Sequence, residues 1–297
     1  MERTSRLIDE KAAAALVQDG MTVYIGGFTL SSHPMAIVRE ILKRRVKNLT
    51  IVGAATASME VDLMIGAGAV RKVITSYVGI EGHASVGPCF RAGAESGELE
   101  VWELDESMYY TALRAGSLEV PFLPDYTALG TDILRFNPDL KRFDCPITGK
   151  PLIAVPAVSP DIAFIHGAAA DVYGNVRFNG SGFGDRTGAR ASTKIVAQVD
   201  KIISNEDIRM SPHLTSMPNV AHVVRTPFGA HPFASPGSYL QDNPLIGEYV
   251  QAAQHYQKTR ERARLDDFLR RWVYEPDSHL DYLERVGLKR LLSLNEF

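Results

Sequence analysis

The chain alternates short, nearly continuous apolar runs with longer segments of helical period. Thr22-Val23-Tyr24-Ile25, Leu49-Thr50-Ile51-Val52, Lys72-Val73-Ile74-Thr75 and Leu99-Glu100-Val101-Trp102 are runs of the first kind. Leu152-Ile153-Ala154-Val155, Ile162-Ala163-Phe164-Ile165, Lys194-Ile195-Val196-Ala197 and Val220-Ala221-His222-Val223-Val224 continue the series. Gly, Pro and Ser clusters bound them, as they bound strands. Pro34 to Arg45 is of the second kind, with Ile37, Ile41 and Leu42 on one helical face. Pro34 suits the first turn of that helix, and Ser31 or Ser32 is expected to cap it. Apolar runs that alternate with helices need cover on both faces. The pattern therefore predicts an α/β fold: a mostly parallel open sheet flanked by helices.

The rhythm breaks at about residues 121–160, where Asn137-Pro138-Asp139, Cys145-Pro146 and Thr148-Gly149-Lys150-Pro151 fall. Apolar residues persist through this stretch, so it reads as an excursion within one α/β unit rather than a disordered linker. From about residue 242 the pattern is helical and charged, through Arg260-Glu261-Arg262 to Trp272. An amphipathic helical tail packing on the sheet is expected there. With no internal repeat or low-complexity tract, residues 1–297 read as a single domain.

Composition narrows the function classes. The chain is 45% hydrophobic and 23% charged, with a formal charge of -3. That balance suits an ordinary globular protein and not a nucleic-acid binder. No segment reaches the roughly 18 to 20 apolar residues of a membrane span, and the acidic N-terminus lacks a signal-peptide core. Only Cys89 and Cys145 are present, without metal-ligand spacing. This predicts a reducing, cytoplasmic setting with neither disulfide nor metal.

Three segments carry candidate chemistry. Gly26-Gly27-Phe28 follows a strand and precedes a helix, a place where backbone N–H groups can turn toward a phosphate or an oxyanion. The same glycines also suit a plain tight turn. Thr75-Ser76-Tyr77-Val78-Gly79-Ile80-Glu81-Gly82-His83 also lies beyond a strand, where ligands of open sheets gather. Ser76, Gly79 and Glu81 are its candidates; the bland reading has Glu81 capping a turn in water and His83 on the surface. Asp105 and Glu106 open a helix, where the dipole favours acids whatever their function.

These motifs, in order, carry a resemblance. Asp-Gly-x-Thr-Val-x-Ile-Gly-Gly-Phe, Thr-Ser-Tyr-Val-Gly, Ser-Gly-Glu-Leu-Glu-Val and Val-Pro-Phe-Leu-Pro resemble the family I CoA-transferases, most closely the A-type chain of glutaconate CoA-transferase. The likeness continues through Ile203 to Arg209, Phe228-Gly229-Ala230-His231-Pro232, Asp242-Asn243-Pro244 and Tyr282-Leu283. It implies an A-type subunit working with a B-type subunit in a heterotetramer or larger complex. CoA would pass between an acyl-CoA and a free (di)carboxylic acid, with the CoA thioester as substrate and no tightly bound cofactor. The nucleophilic glutamate, expected in a Ser-Glu-Asn-Gly type motif, would come from the B-type subunit, because this chain has no such motif. Gly26, Gly27, Phe28, Ser76, Gly79 and Glu81 would contribute to the substrate and CoA site.

Two positions depart from the glutaconate pattern: Glu81 stands where a serine is usual, and Glu106 where a glutamine is usual. Both acids are similar to the steroid-ring-opening hydrolases of the same fold, in which Glu106 would be an active-site acid or base. The alternative implied is an acyl-CoA hydrolase for a cyclic keto-acyl-CoA, or a related acyl-CoA decarboxylase. Arg91 and Arg114 lie near these acids in sequence, and a surface role is expected for both.

Overall fold

A computed structural model describes residues 4–295 of the chain. Its main sheet contains β1 (Leu7–Ile8), β2 (Thr22–Ile25), β3 (Leu49–Gly53), β4 (Val70–Thr75) and β5 (Glu100–Glu103) from the first part of the chain. The second part begins with β6 (Phe122–Asp125), β7 (Lys141–Asp144) and β8 (Pro151–Pro156), and continues with β9 (Ile162–Ala170), β10 (Val176–Arg177), β11 (Lys194–Ile202) and β12 (His222–Arg225). The strand order of the main sheet is β1-β12-β11-β9-β2-β3-β4-β5, every neighbour along this path being parallel. Among the described strands of this sheet only β10, on β9, runs antiparallel. The α/β class and the mostly parallel open sheet are as the apolar runs predict.

Helices cover both faces. They are α1 (Glu10–Ala15), α2 (Met35–Lys43), α3 (Met59–Gly66), α4 (Pro88–Ser96), α5 (Glu106–Ser117), α6 (Ile133–Phe136), α7 (Asp185–Ala191) and α8 (Asn205–Met210). The C-terminal set is α9 (Asn243–Thr259), α10 (Ala263–Leu269), α11 (His279–Val286) and α12 (Leu288–Ser293). Successive side chains of a strand point to opposite faces, and the core divides accordingly. Val23, Ile25, Ile162 and Phe164 pack with residues of α2, α3, α9 and α10. Tyr24, Ala163 and Ile165 pack on the other face with Met108, Tyr109 and Leu113 of α5 and Ala189 of α7.

Two expectations are corrected. Leu152 to Val155 is a strand, but it lies outside the parallel sheet, in a separate antiparallel one of order β6-β8-β7. Only its inner residues Ile153 and Val155 are fully buried, in the layer of α5. A short apolar run does not by itself distinguish a strand buried on both faces from one buried on one face. Neither Ser31 nor Ser32 caps α2: Pro34 holds the cap position without a side-chain bond, and the Ser31 hydroxyl donates to Phe28 O. The first-turn N–H groups go to distant partners instead, Ala36 to Gly229 O at 2.9 Å and Ile37 to Oε1 of Gln198 at 3.2 Å.

The tail begins where the pattern places it. Asp242 caps α9 by accepting from the Leu245 N–H. Leu245, Ile246, Tyr249 and Val250 are buried, and α9 lies against α4 and α10 as an outer helical layer. A buried polar cluster fastens it. His231 pairs with Asp242 at 3.0 Å, and Arg290 donates to the other carboxylate oxygen of Asp242. Arg39 donates to His231 O and to Nδ1 of His279 while its guanidinium covers the Tyr282 ring.

Candidate functional site

The chain runs outward from β2 through β3 and β4 to β5, then returns to the centre at β9 and runs the other way through β11 to β12. The boundary between β2 and β9 is therefore the topological switch point, where open sheets leave a crevice beyond their carboxyl ends. A narrow cleft lies there. It is lined by Gly27, by His166 and Gly167 of β9, by Phe178 to Phe183 of the following loop, and by Asp185 and Ser235.

The Gly26-Gly27 turn forms one wall. The Gly26 N–H donates to Phe164 O at 2.8 Å, which extends the β2–β9 pairing by a residue. The Gly27 N–H donates to Oδ1 of Asp185 at 2.9 Å, and the Phe28 N–H to Ser31 O at 3.0 Å. The three N–H groups that the sequence suggests for a ligand are thus all engaged within the chain. Packing explains the glycines. A Cβ on Gly26 would stand 2.6 Å from Oδ1 of Asp185, and one on Gly27, at φ +114°, 2.4 Å from Nδ1 of His33. Phe28 contributes its ring, stacked on Phe183 at 4.0 Å between centroids.

The turn after β2 leans on those after β3 and β4. Thr29 N–H donates to Thr56 O, the Ser76 hydroxyl to Ala55 O, and Gly79 N–H to Ala57 O. Ser76 and Gly79 therefore support the neighbouring turns and do not line the cleft. Glu81 sits in an exposed turn, and His83 reaches Oδ1 of Asn243 at the start of α9. Glu106 is the first residue of α5 and is exposed, and Asp105 caps that helix by accepting from the Met108 N–H. Tyr110 follows one turn later. Its phenol is pushed up by burial, then by the charges of Glu106 and Asp185. Its ring lies against Gly184, where a Cβ would come within 2.7 Å. Glu106 thus belongs to the mouth of the cleft and Glu81 does not. Arg91 pairs with Glu95 at the surface, and Arg114 is exposed on α5.

The residue that sequence reasoning missed is Asp185. It is 3% exposed, and its Oδ1 accepts from both the Tyr24 hydroxyl at 3.1 Å and the Gly27 N–H. Burial pushes its carboxyl up to about 7, against the two hydrogen bonds that pull it down. The signal was present in Gly180-Ser181-Gly182-Phe183-Gly184-Asp185, a glycine-rich approach to a short helix.

Two further buried groups frame the site. Beneath Gly27, His33 and Glu60 approach to 3.3 Å with no exposure. Burial raises Glu60 to about 8 and lowers His33 to about 4, so both are neutral at pH 7. On the opposite wall, Gln198 donates to Nδ1 of His166, which fixes that ring with its proton on Nε2. Nε2 faces the Ser235 hydroxyl at 3.2 Å, and Ser235 donates to Asp200 at 2.6 Å. Among the described residues no group of His, Cys, Asp and Glu is arranged to hold a metal ion, and no helix is long and apolar enough to cross a membrane.

Comparison with known proteins agrees with this architecture. The sequence profile described as coenzyme A transferase matches residues 8–226. The A-type chain of glutaconate CoA-transferase from Acidaminococcus fermentans is 33% identical over 95% of this chain and 92% of its own. The crystal structure of that organism's glutaconate coenzyme A-transferase superposes with a TM-score of 0.92, covering 99% of this chain and 96% of the other at 31% identity. An uncharacterized Archaeoglobus fulgidus protein is 34% identical over 96% of this chain, which spans 63% of that relative's length. The cholesterol ring-cleaving hydrolase IpdA subunit of Rhodococcus jostii is 30% identical over 85% of this chain and 88% of its own.

Proposed function

Because this chain belongs to the coenzyme A transferase family, we propose that it is the A-type subunit of a heteromeric CoA-transferase that moves CoA between an acyl-CoA and a free carboxylic acid. The observation that carries this reading is the end-to-end match, in sequence and in fold, to the A-type chain of a transferase. The name of that relative supports a second, B-type chain as partner, in a heterotetramer or larger complex. The nucleophilic glutamate comes from that partner. A carboxylate suits the chemistry because it attacks a thioester and later leaves again, conserving the thioester's energy in an acyl-enzyme. The contribution of this chain is the cleft at the β2–β9 boundary: Gly26, Gly27 and Phe28 shape one wall, Ser76 and Gly79 brace it from the adjacent turns, and Glu81 lies beyond this brace toward α9. The CoA thioester is a substrate, not a resident cofactor, and the complex works in the cytoplasm.

A second reading is favoured by one observation. Glu106 is exposed at the mouth, one turn from Tyr110, which touches the loop before Asp185. A carboxylate so placed suits general-base attack of water on an acyl-CoA, as in the hydrolase relative. Co-expression with the neighbouring B-type chain decides between the two. The complex is given acetyl- or glutaryl-CoA with free carboxylic acids, and CoA exchange is followed. Transfer to the acid supports the first reading; release of free CoA or carbon dioxide without transfer overturns it.

A further inference from the structure

The acid that lines the cleft is Asp185, and its two oxygens are treated differently. Oδ1 accepts from Tyr24 and from Gly27. Oδ2 has no donor among the described residues, and neither oxygen forms an ion pair with a Lys, Arg or His side chain there. A carboxylate buried without a cation is costly, and neutralising it is the cheaper solution. The surroundings reinforce this. Tyr24 from β2 and Tyr109 and Tyr110 from α5 face it with phenols, Glu106 adds negative charge through the Tyr110 side, and neutral His33 lies under Gly27. Across the cleft, His166 presents its protonated nitrogen to Ser235 and Asp200, not to Asp185.

We infer that Asp185 carries its proton on Oδ2 and donates it, as a hydrogen bond, to a carbonyl or carboxylate oxygen of the acyl substrate bound in this cleft. The inference rests on the proposed acyl-CoA chemistry and adds a substrate-binding group to it. It also explains how a pocket with an acid in its wall accepts an anionic substrate: the acid is a donor there, not a charge. The two donors on Oδ1 fix the orientation, so the proton is held on the oxygen that faces the cleft.

The test uses the complex reconstituted with the B-type chain, with Asp185→Asn and Asp185→Ala in this one. In the Asn variant the amide oxygen takes the Tyr24 and Gly27 bonds, which leaves the N–H₂ where Oδ2–H stood. Transfer measured from pH 5.5 to 9 should fall on the alkaline side in the parent as Asp185 ionises. The Asn variant should stay within several-fold of the parent near pH 6 and lose that alkaline fall. The Ala variant should lose about 100-fold in kcat/KM, the size of one lost donor to a developing oxyanion. Infrared difference spectra of the complex, titrated over the same range, should show a carboxylic-acid C=O stretch that disappears with rising pH and is absent from Asp185→Asn. An Asn variant as inactive as Ala, or one that keeps the parental alkaline fall and infrared band, overturns the inference. If the complex releases free CoA instead of transferring it, the same pH limb is read on that release. The failure of the transferase reading is thereby separated from that of Asp185.

Discussion

The phenol of Tyr24 donates to Oδ1 of Asp185 at 3.1 Å, across 161 residues of chain. The bond joins the end of β2 to the head of α7, and so ties the first half of the sheet to the second at the place where the cleft opens. Gly188 makes it possible, since a Cβ there would lie 2.1 Å from the Tyr24 ring. One oxygen of Asp185 thereby anchors the Gly27 turn as well, and the shape of that wall depends on residues far apart in sequence.

Gly27→Ala should both distort the turn and destabilise the fold. The new methyl would meet His33, and φ +114° is a conformation that alanine rarely adopts. Backbone strain and overpacking each cost on the order of 1–3 kcal/mol, so a loss of about 3 kcal/mol is expected. Urea unfolding of the variant measures it; a midpoint unchanged from the parent would sink this account of the turn.

Glu106→Gln separates the two readings of function. Glu106 is exposed and its helix is capped by Asp105, so the fold should be unaffected. A transferase should keep its rate within about threefold, whereas loss of a general base costs about 10²–10⁴-fold. Steady-state rates of the reconstituted complex distinguish these outcomes.

The latch of the C-terminal helices should weaken in acid. His279 donates from Nε2 to Pro227 O and accepts from Arg39 at Nδ1, so it is built to be neutral. Burial, then the Arg39 charge, lower it to about 3. A depressed histidine contributes stability that is complete above its unfolded value near 6.5. That stability is lost as pH falls toward 3, because the unfolded chain binds the proton first. His279→Gln keeps an acceptor and a donor but does not titrate. Between pH 7.5 and 4.5 the parent should lose more thermal stability than the variant; equal losses would count against the latch.

Asp242→Ala removes three bonds at once: the cap on Leu245, the partner of buried His231 and the acceptor for Arg290. Loss of a cap costs about 1 kcal/mol and breaking a buried ionic network several more, so a total of about 4 kcal/mol is expected. Denaturant titration checks the size. Asp242→Asn, which retains the cap oxygen, should recover part of the loss.

Much of the fold was legible because local pattern determines it. Runs such as Ile162 to Ile165 and Lys194 to Ala197 need burial on both faces, and only a covered parallel sheet provides that. The placement of the site was half legible. Gly26 and Gly27 marked a turn of special geometry, and the motifs carried the family. The sequence did not say whether the glycines served a ligand or the packing of Asp185 and His33, since those contacts cross many residues. Nor did it place Leu152 to Val155 in a separate antiparallel sheet, because a short apolar run reads alike in both.

By itself, then, the sequence determined the α/β class, the strands and helices of strong period, and membership of a family whose site is shared between chains. The tertiary structure alone decided that the cleft lies between β2 and β9, that Glu106 faces its mouth while Glu81 stands apart, and that Asp185 lines its wall. The physical reason is one of range. Periodicity records whether a residue is buried, and burial is a local demand; a carboxyl group's partners and its proton are set by whatever the fold brings within a few ångströms of it.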